Sequence, residues 1–212
     1  MTQLIFVRHG ESEANRAQAF AGWTDARLTE RGYAQAERTA EFLKNYPITA
    51  AYASDLSRAY ETACRIALPH GITVEKDPAF REIYAGKWEN LSFVKLARDF
   101  SEDYDIWLHQ VGLSRCTGGE SFAEMAARVQ NGVARILERH QGETVLIGTH
   151  ATPIRAMECI WRNIPTPMAH TVPWRGNASV TIAEYEGGEA RITLLGYNEH
   201  QGELKTALPK NV

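Results

Sequence analysis

Leu4-Ile5-Phe6-Val7-Arg8-His9-Gly10 is the stretch whose reading decides the fold. Four apolar residues in succession, without polar alternation, read as a strand buried on both faces. Strands of that kind belong to sheets covered by helices on either side. Arg8 and His9 then stand where the strand ends, at the edge where open α/β sheets bind their ligands. A cation, an imidazole and a glycine at such an edge suit a phosphate group. The stretch runs on through Glu11 to Asn15 and Ala19 as a polar loop or brief helix.

Working outward, the pattern repeats. Gly22 to Asp25 reads as a turn, and Thr29 as the N-cap of a helix carrying Ala36, Ala40 and Leu43 at helical spacing, with Pro47 beyond its end. Ala50 to Ser54 is a second strand. A helix containing Arg58 follows and ends before Gly71, and Ile72 to Glu75 is a third strand. This β-α-β-α-β order implies parallel pairs joined by crossover helices. Phe80 to about Gly119 contains no convincing strand. Arg81 to Glu89 reads as a loop and Phe93 to Leu108 as helical, together a small cap over the strand ends. Ser121 and Glu124 form a capping box for a helix with Phe122, Met125, Val129, Val133 and Ile136 on one face, closed by Gly142. Thr144 to Gly148 is another apolar strand, which delivers Thr149 and His150. A helix begins near Pro153. Val180 to Tyr185 and Ile192 to Leu195, separated by Gly187 and Gly188, read as an antiparallel hairpin on a sheet edge. The polar tail after Glu199, ending Pro209-Lys210-Asn211-Val212, is expected to be poorly ordered.

The fold class expected is α/β: a three-layer α/β/α sandwich with a mostly parallel sheet, an antiparallel edge and a small helical cap. The chain of 212 residues fits one domain over 1–212, with the cap at about 80–119. Its 44% hydrophobic and 23% charged residues are those of an ordinary globular protein. A net charge of −3 excludes a nucleic-acid binder held by a broad basic face. The cysteines Cys64, Cys116 and Cys159 are widely spaced and form no C-x-x-C pair. They point to neither a zinc ribbon nor a redox motif, and they fit a reducing cytoplasm. Cys64 and Cys159 read as helix core residues. Neither a signal peptide nor an apolar run approaching about 20 residues is visible, so no membrane partner is expected.

Two histidines therefore occupy matching contexts, His9 and His150, each at the end of an apolar strand. Arg58 follows a third strand and Arg8 adjoins His9. Guanidinium groups bind phosphoryl oxygens bidentately and keep their charge, and helix N-termini at the same edge add N–H donors. Any one of these residues alone reads as a surface or capping residue; a bland account of all four requires independent coincidences.

With those residues in place, the sequence resembles the histidine phosphatases, the group that includes cofactor-dependent phosphoglycerate mutase. Arg8-His9-Gly10-Glu11-Ser12 with Asn15 is similar to the RHGE-type signature. Leu28-Thr29, Gly32 and Gln35-Ala36 resemble L-T-x-x-G-x-x-Q-A. Ser54, Leu56, Arg58, Ala59 and Thr62 are similar to the next block, as are Glu82, Gly86, Trp88 and Glu89, and then Gly119-Glu120-Ser121. The blocks run in family order from residue 4 to about 156. The resemblance implies His9 as a nucleophile forming a phosphohistidine, with Arg8, Arg58 and His150 binding and stabilising the phosphoryl group. It implies Asn15 as a holder of the phosphate or of Arg58, and Glu82 as the proton donor and later base. Gly22 and Ala151 join the phosphate-binding set. Ala151 stands where the family has glycine. It keeps a backbone N–H, but would be strained if the position needed φ > 0.

The chemistry requires His9 to present an unprotonated nitrogen and Glu82 to sit partly buried under the cap. No metal or other cofactor is expected, because the arginines supply the positive charge. Trp88, Trp107, Tyr104 and Trp174 are candidates for the pocket entrance, and Trp161 for the core. His70, His109, His140, His170 and His200 lack strand-end contexts and read mostly as solvated.

The leading expectation is a metal-independent phosphatase acting on phosphomonoesters of small metabolites, with no nucleic-acid partner and a homodimer compatible with it. One alternative is a phosphoglycerate mutase, a phosphoryl-transfer isomerase. Family mutases carry a longer, more basic segment before the second histidine, whereas Asn90 to Gly118 here holds only Lys95, Arg98 and Arg115. The other alternative is a non-catalytic phospho-ligand binder, which would have no need of the full His9, Arg58, Glu82 and His150 set.

Overall fold

A computed structural model describes residues 1–207. In chain order its elements are β1 (Thr2–Arg8), α1 (Glu13–Arg16), β2 (Ala19–Phe20), α2 (Glu30–Leu43), β3 (Ile48–Ala53), α3 (Ser57–Ala67), β4 (Val74–Lys76) and β5 (Leu91–Ser92), followed by α4 (Phe93–Asp99), α5 (Ser101–His109), α6 (Phe122–Arg139), β6 (Thr144–Thr149), α7 (Ala151–Trp161), β7 (Val180–Glu186) and β8 (Glu189–Tyr197). The main sheet has six strands in the order β4-β3-β6-β1-β7-β8. The first four are mutually parallel, and β7 and β8 form the antiparallel edge.

Strand β1 lies inside this sheet, which explains its unbroken apolar run. Leu4 and Phe6 enter one core with Met125, Val129 and Val133 of α6 and Ile154 and Met157 of α7. Ile5 and Val7 enter the opposite core with Leu43 of α2 and Ala63 and Ile66 of α3. All four are fully buried. Because side chains alternate across a strand, a residue run this apolar can be buried only between two helix layers. The result is a three-layer α/β/α fold.

Local signals set the helix starts. The Thr29 side chain accepts from Gly32 N–H, and Ser121 and Glu124 complete their capping box. Several boundaries differ from the sequence reading. The third strand is Val74–Lys76, so it starts two residues later than expected. The helical stretch from Phe93 is two helices, broken where Phe100 leaves helical geometry (φ −135°, ψ 38°). Helix α6 is capped by His140, and Gly142 is a left-handed residue beyond it. Helix α7 starts at Ala151, so Pro153 is its third residue.

The tail differs more. Glu199–Leu204 forms 3-10 turns docked on α2, with Gln201 fully buried. Gln201 Nε2 donates to Gln35 O (3.1 Å) and Thr39 Oγ1 (2.9 Å), and Gln35 Nε2 donates to Leu204 O (2.7 Å). These bonds pair the buried amide N–H groups of Gln201 and Gln35 and tie the polar segment to α2. Pro209 to Val212 lie outside the described residues. The histidine reading also needs correction. His140 lies between Tyr52 Oη (2.9 Å) and Glu143 (3.0 Å). His200 stacks on Phe42 and Tyr197, where burial pulls its pKa down to about 4.

Candidate active site

The three central parallel strands β3, β6 and β1 end in register. Ala53 pairs with Gly148, and Arg8 pairs with Thr149. Backbone bonds continue past the ends, from Ser54 N–H to Gly148 O (2.9 Å) and from His9 N–H to Thr149 O (3.0 Å). Ser54, His150 and His9 are thereby brought side by side at one edge. The imidazole rings of His9 and His150 meet edge to face, with centroids 5.2 Å apart.

Each ring is held by one nitrogen. His9 Nδ1 lies 2.7 Å from Gly10 O, a carbonyl that can only accept. Nδ1 therefore carries the proton and Nε2 has the lone pair. His150 Nε2 lies 2.8 Å from Ser54 Oγ, and Leu56 N–H already donates to that oxygen (3.3 Å). Among the described residues the serine hydroxyl hydrogen has no acceptor other than Nε2, and donation there puts the His150 proton on Nδ1. That Nδ1 is buried without a protein partner. Both rings are neutral: burial drives their pKa values well below 6.5, and Arg58 and Arg8 push in the same direction.

Two buried arginines complete the donor set. Arg58 Nη1 and Nη2 donate to Thr24 O (2.9 Å) and Gly22 O (2.7 Å), and Arg8 Nη1 donates to Arg175 O (2.5 Å). The Nε of each is buried without a partner. Burial pulls both guanidinium pKa values down to about 10, which leaves them charged at neutral pH. Buried polar groups nearly always find partners. Arg8 and Arg58 line one cavity, and His150 packs against His9, which lines it too.

Asn15 and the start of α7 face the same cavity. Asn15 Oδ1 accepts from Ser12 N–H, Ser12 Oγ and Asn177 Nδ2, each at 3.1 Å, so its amide NH₂ is the group left to bind. Ala151 is the first residue of α7, an eleven-residue helix, and its φ is not positive. Alanine is thus unstrained there, and its N–H belongs to the free first turn of a helix.

Glu82 is half-buried and lines the same cavity. Its Oε1 accepts from Ile83 N–H at 2.8 Å. The backbone around it is clamped by Arg128 of α6, which donates to the carbonyls of Ala79 (2.9 Å), Arg81 (3.1 Å) and Glu82 (3.1 Å). Trp23 Nε1 also donates to Glu82 O (2.7 Å). Glu89 accepts from the N–H groups of Trp23, Thr24 and Ala85, fixing the loop whose carbonyls hold Arg58. Gly22 in that loop has φ +50°, and a Cβ there would come within 2.3 Å of Glu89 Oε1. Gly10 serves packing rather than the ligand: a Cβ on it would lie 2.4 Å from the backbone carbonyl of Gly32 in α2.

All eight site residues expected from sequence therefore cluster at one edge: Arg8, His9, Asn15, Gly22, Arg58, Glu82, His150 and Ala151. Ser54, Asn177 and Arg128 had no role assigned from sequence. Ser54 lay within a motif; the other two act through contacts with distant parts of the chain that no spacing reveals. Of the four aromatic candidates, Trp107 and Trp174 line the cavity, joined by Phe20 and Phe93. Trp88 and Tyr104 are instead buried in the cap core, edge-on to one another. No cluster of His, Cys, Asp and Glu among the described residues is arranged to hold a metal ion. No described helix is long and apolar enough to cross a membrane.

Comparison with known proteins gives the family. The model of the histidine phosphatase superfamily (branch 1) matches residues 4–198. Phosphoserine phosphatase 1 of Hydrogenobacter thermophilus is 32% identical over 204 residues, 96% of each chain. A probable phosphoglycerate mutase, GpmB, of Yersinia pestis is 30% identical over 88% of this chain and 86% of its own. Among solved structures, Bacillus stearothermophilus YhfR superposes with a TM-score of 0.91 at 31% identity, covering 95% of this chain and all of that one.

Proposed function

The chain belongs to the histidine phosphatase superfamily, and from that premise we propose that it hydrolyses phosphomonoesters of small metabolites, without a metal ion, by way of a phosphoryl group carried on His9. The observation that carries the reading is the hydrogen bond from His9 Nδ1 to Gly10 O. It leaves Nε2 as an unprotonated nucleophile beside three unpaired buried donors.

In the first step the Nε2 lone pair attacks phosphorus and the bond to the ester oxygen breaks. Glu82 hands its proton to the departing oxygen. Arg8 Nε, Arg58 Nε, His150 Nδ1, the Asn15 amide and the Ala151 N–H take the remaining phosphoryl oxygens, whose charge is spread in the transition state. In the second step Glu82 removes a proton from water. The water oxygen attacks phosphorus, the P–N bond breaks and inorganic phosphate leaves. The arginines supply fixed positive charge throughout, the part a divalent ion plays elsewhere.

A mutase must grip a second charged group of its substrate. Lys95, Arg98 and Arg115 are exposed, and Arg98 and Arg115 are paired with Asp99 and Glu124. None lines the cavity, and this favours hydrolysis over isomerisation. A passive anion binder gains from protonated histidines, whereas both rings here are held neutral. The thiols are unpaired, with Cys116 and Cys159 buried, and cytoplasmic residence is part of the proposal. Release of phosphate from 4-nitrophenyl phosphate, undiminished by EDTA, is the expected result. Absence of release with and without EDTA would overturn the assignment.

A further inference from the structure

The residues lining the cavity fall into two chemical sets. Its floor holds the cations and Glu82. Beyond them the wall is Phe20, Phe93, Trp107 and Trp174, with the small side chains of Ala19 and Ala21 between. Every charged residue that lines the cavity, Arg8, Arg58 and Glu82, belongs to the floor.

The wall is braced. Phe20 packs edge-on against Trp107 (centroids 5.0 Å) and against the buried Trp88 (5.5 Å). Trp107 stacks on Trp174 at 5.7 Å and 26°. The Arg155 guanidinium sits 4.1 Å from the centre of the Trp174 ring, while its Nε donates to Ala169 O (3.0 Å). Arg155 is thus tied behind the wall and does not line the cavity. Rings locked this way present faces and edges to a ligand, and they cannot turn aside to admit a charged group.

Resting on the phosphatase reading above, we propose that the preferred substrates are phosphomonoesters of uncharged alcohols with an apolar, flat or branched body, and that phosphorylated amino acids and phosphoglycerates are poor substrates. The phosphoryl group occupies both floor arginines. A carboxylate on the leaving group then has no cation within the cavity. An ammonium finds only Glu82, whose carboxyl is engaged with the ester oxygen. A charge pressed against aromatic rings loses its hydration and gains no partner, whereas an apolar body gains by leaving water.

The test compares kcat/KM for 2-phenylethyl phosphate, O-phosphoserine and 3-phosphoglycerate, with 4-nitrophenyl phosphate as the common reference. All but the reference are alkyl esters, and serine is the better leaving group than phenylethanol, so intrinsic reactivity works against the expected order. Hydrophobic pockets discriminate by about 10–200-fold per group, and a preference of about 30-fold or more for 2-phenylethyl phosphate is expected, expressed mainly in KM. Phe93→Arg, at a half-exposed position opening α4, places a cation on the wall. It should raise kcat/KM for the two carboxylate substrates and lower it for 2-phenylethyl phosphate. Equal or better turnover of O-phosphoserine by the natural chain would overturn this inference and leave the phosphatase reading intact. So would a folded Phe93→Arg variant with an unchanged ratio. Failure to release phosphate from any of the four esters would overturn both.

Discussion

Ser54 Oγ and His150 Nε2 lie 2.8 Å apart, and that contact gives the two active-site histidines opposite polarity. His9 is bonded through Nδ1 and keeps its lone pair on Nε2, while His150 is bonded through Nε2 and keeps its proton on Nδ1. In the proposed mechanism one ring attacks and the other donates, though both are neutral and both end adjacent strands. Ser54→Ala removes the hydroxyl that selects the second tautomer. It should lower kcat by about 10- to 100-fold, the range of a lost oxyanion donor or its support. The Ser54→Thr variant should retain most of the rate. The ¹⁵N shifts of His150 are the specific readout: Nδ1 protonated in the natural chain, mixed tautomers in Ser54→Ala. An unchanged tautomer with reduced rate would show Ser54 acting by packing alone.

Glu82→Gln keeps the shape of the side chain and its contact with Ile83 N–H but cannot transfer a proton. With alkyl phosphates kcat should fall by about 10²–10⁴-fold, the range for a lost general acid. With aryl phosphates, whose leaving groups need no proton, phosphoenzyme formation should be little affected and its hydrolysis slowed. Equal losses of the first step across both ester types would remove Glu82 from that role.

Gly22→Ala places a methyl group at φ +50° against Glu89 and Ala85. The loop must shift, and with it the two carbonyls that fix Arg58. Stability should fall by about 1–3 kcal/mol, as for strain at a special backbone position. Inhibition by inorganic phosphate should weaken as well. Thermal unfolding together with phosphate inhibition checks this, and a variant with unaltered phosphate affinity would show that Arg58 does not depend on the loop.

The neutral histidines predict a pH dependence of stability. His9 and His150 are depressed well below 6.5 when folded, whereas an unfolded histidine titrates near about 6.5. Below that value the unfolded chain binds protons that the folded chain refuses, so stability falls as pH drops through about 6.5 and is fully present above it. In an NMR titration of the free protein neither ring should titrate at 6.5. A midpoint at or above 6.5 for His9 would contradict the account.

Much of this site was legible in the sequence because it follows from strand ends. The apolar runs before His9 and His150 located both rings, and the capping box located α6. What stayed illegible depends on the partners of a side chain. Trp88 and Trp107 are equally aromatic neighbours of the cap, yet one is sealed in its core and the other lines the cavity. Nothing in the spacing distinguishes them. Asn177 and Arg128 act across 162 and 46 residues of chain, on Asn15 and on the Glu82 carbonyl. The segment Glu199–Leu204 is ordered, against expectation, because its polarity is satisfied by Gln35 and Thr39, buried polar partners that hydropathy counts as solvent-facing. Gly10, grouped from the sequence with the phosphate edge, packs instead against the backbone of Gly32.

The central claim is that the phosphoryl group is carried on Nε2 of His9. Rapid quenching of Glu82→Gln during turnover of 4-nitrophenyl phosphate, followed by alkaline digestion and mass analysis, reads it directly. The account predicts an acid-labile, alkali-stable phosphoryl group on the peptide containing Arg8-His9-Gly10, bonded to Nε2. Label on another residue, on Nδ1, or its complete absence while nitrophenol is released in a burst would contradict it.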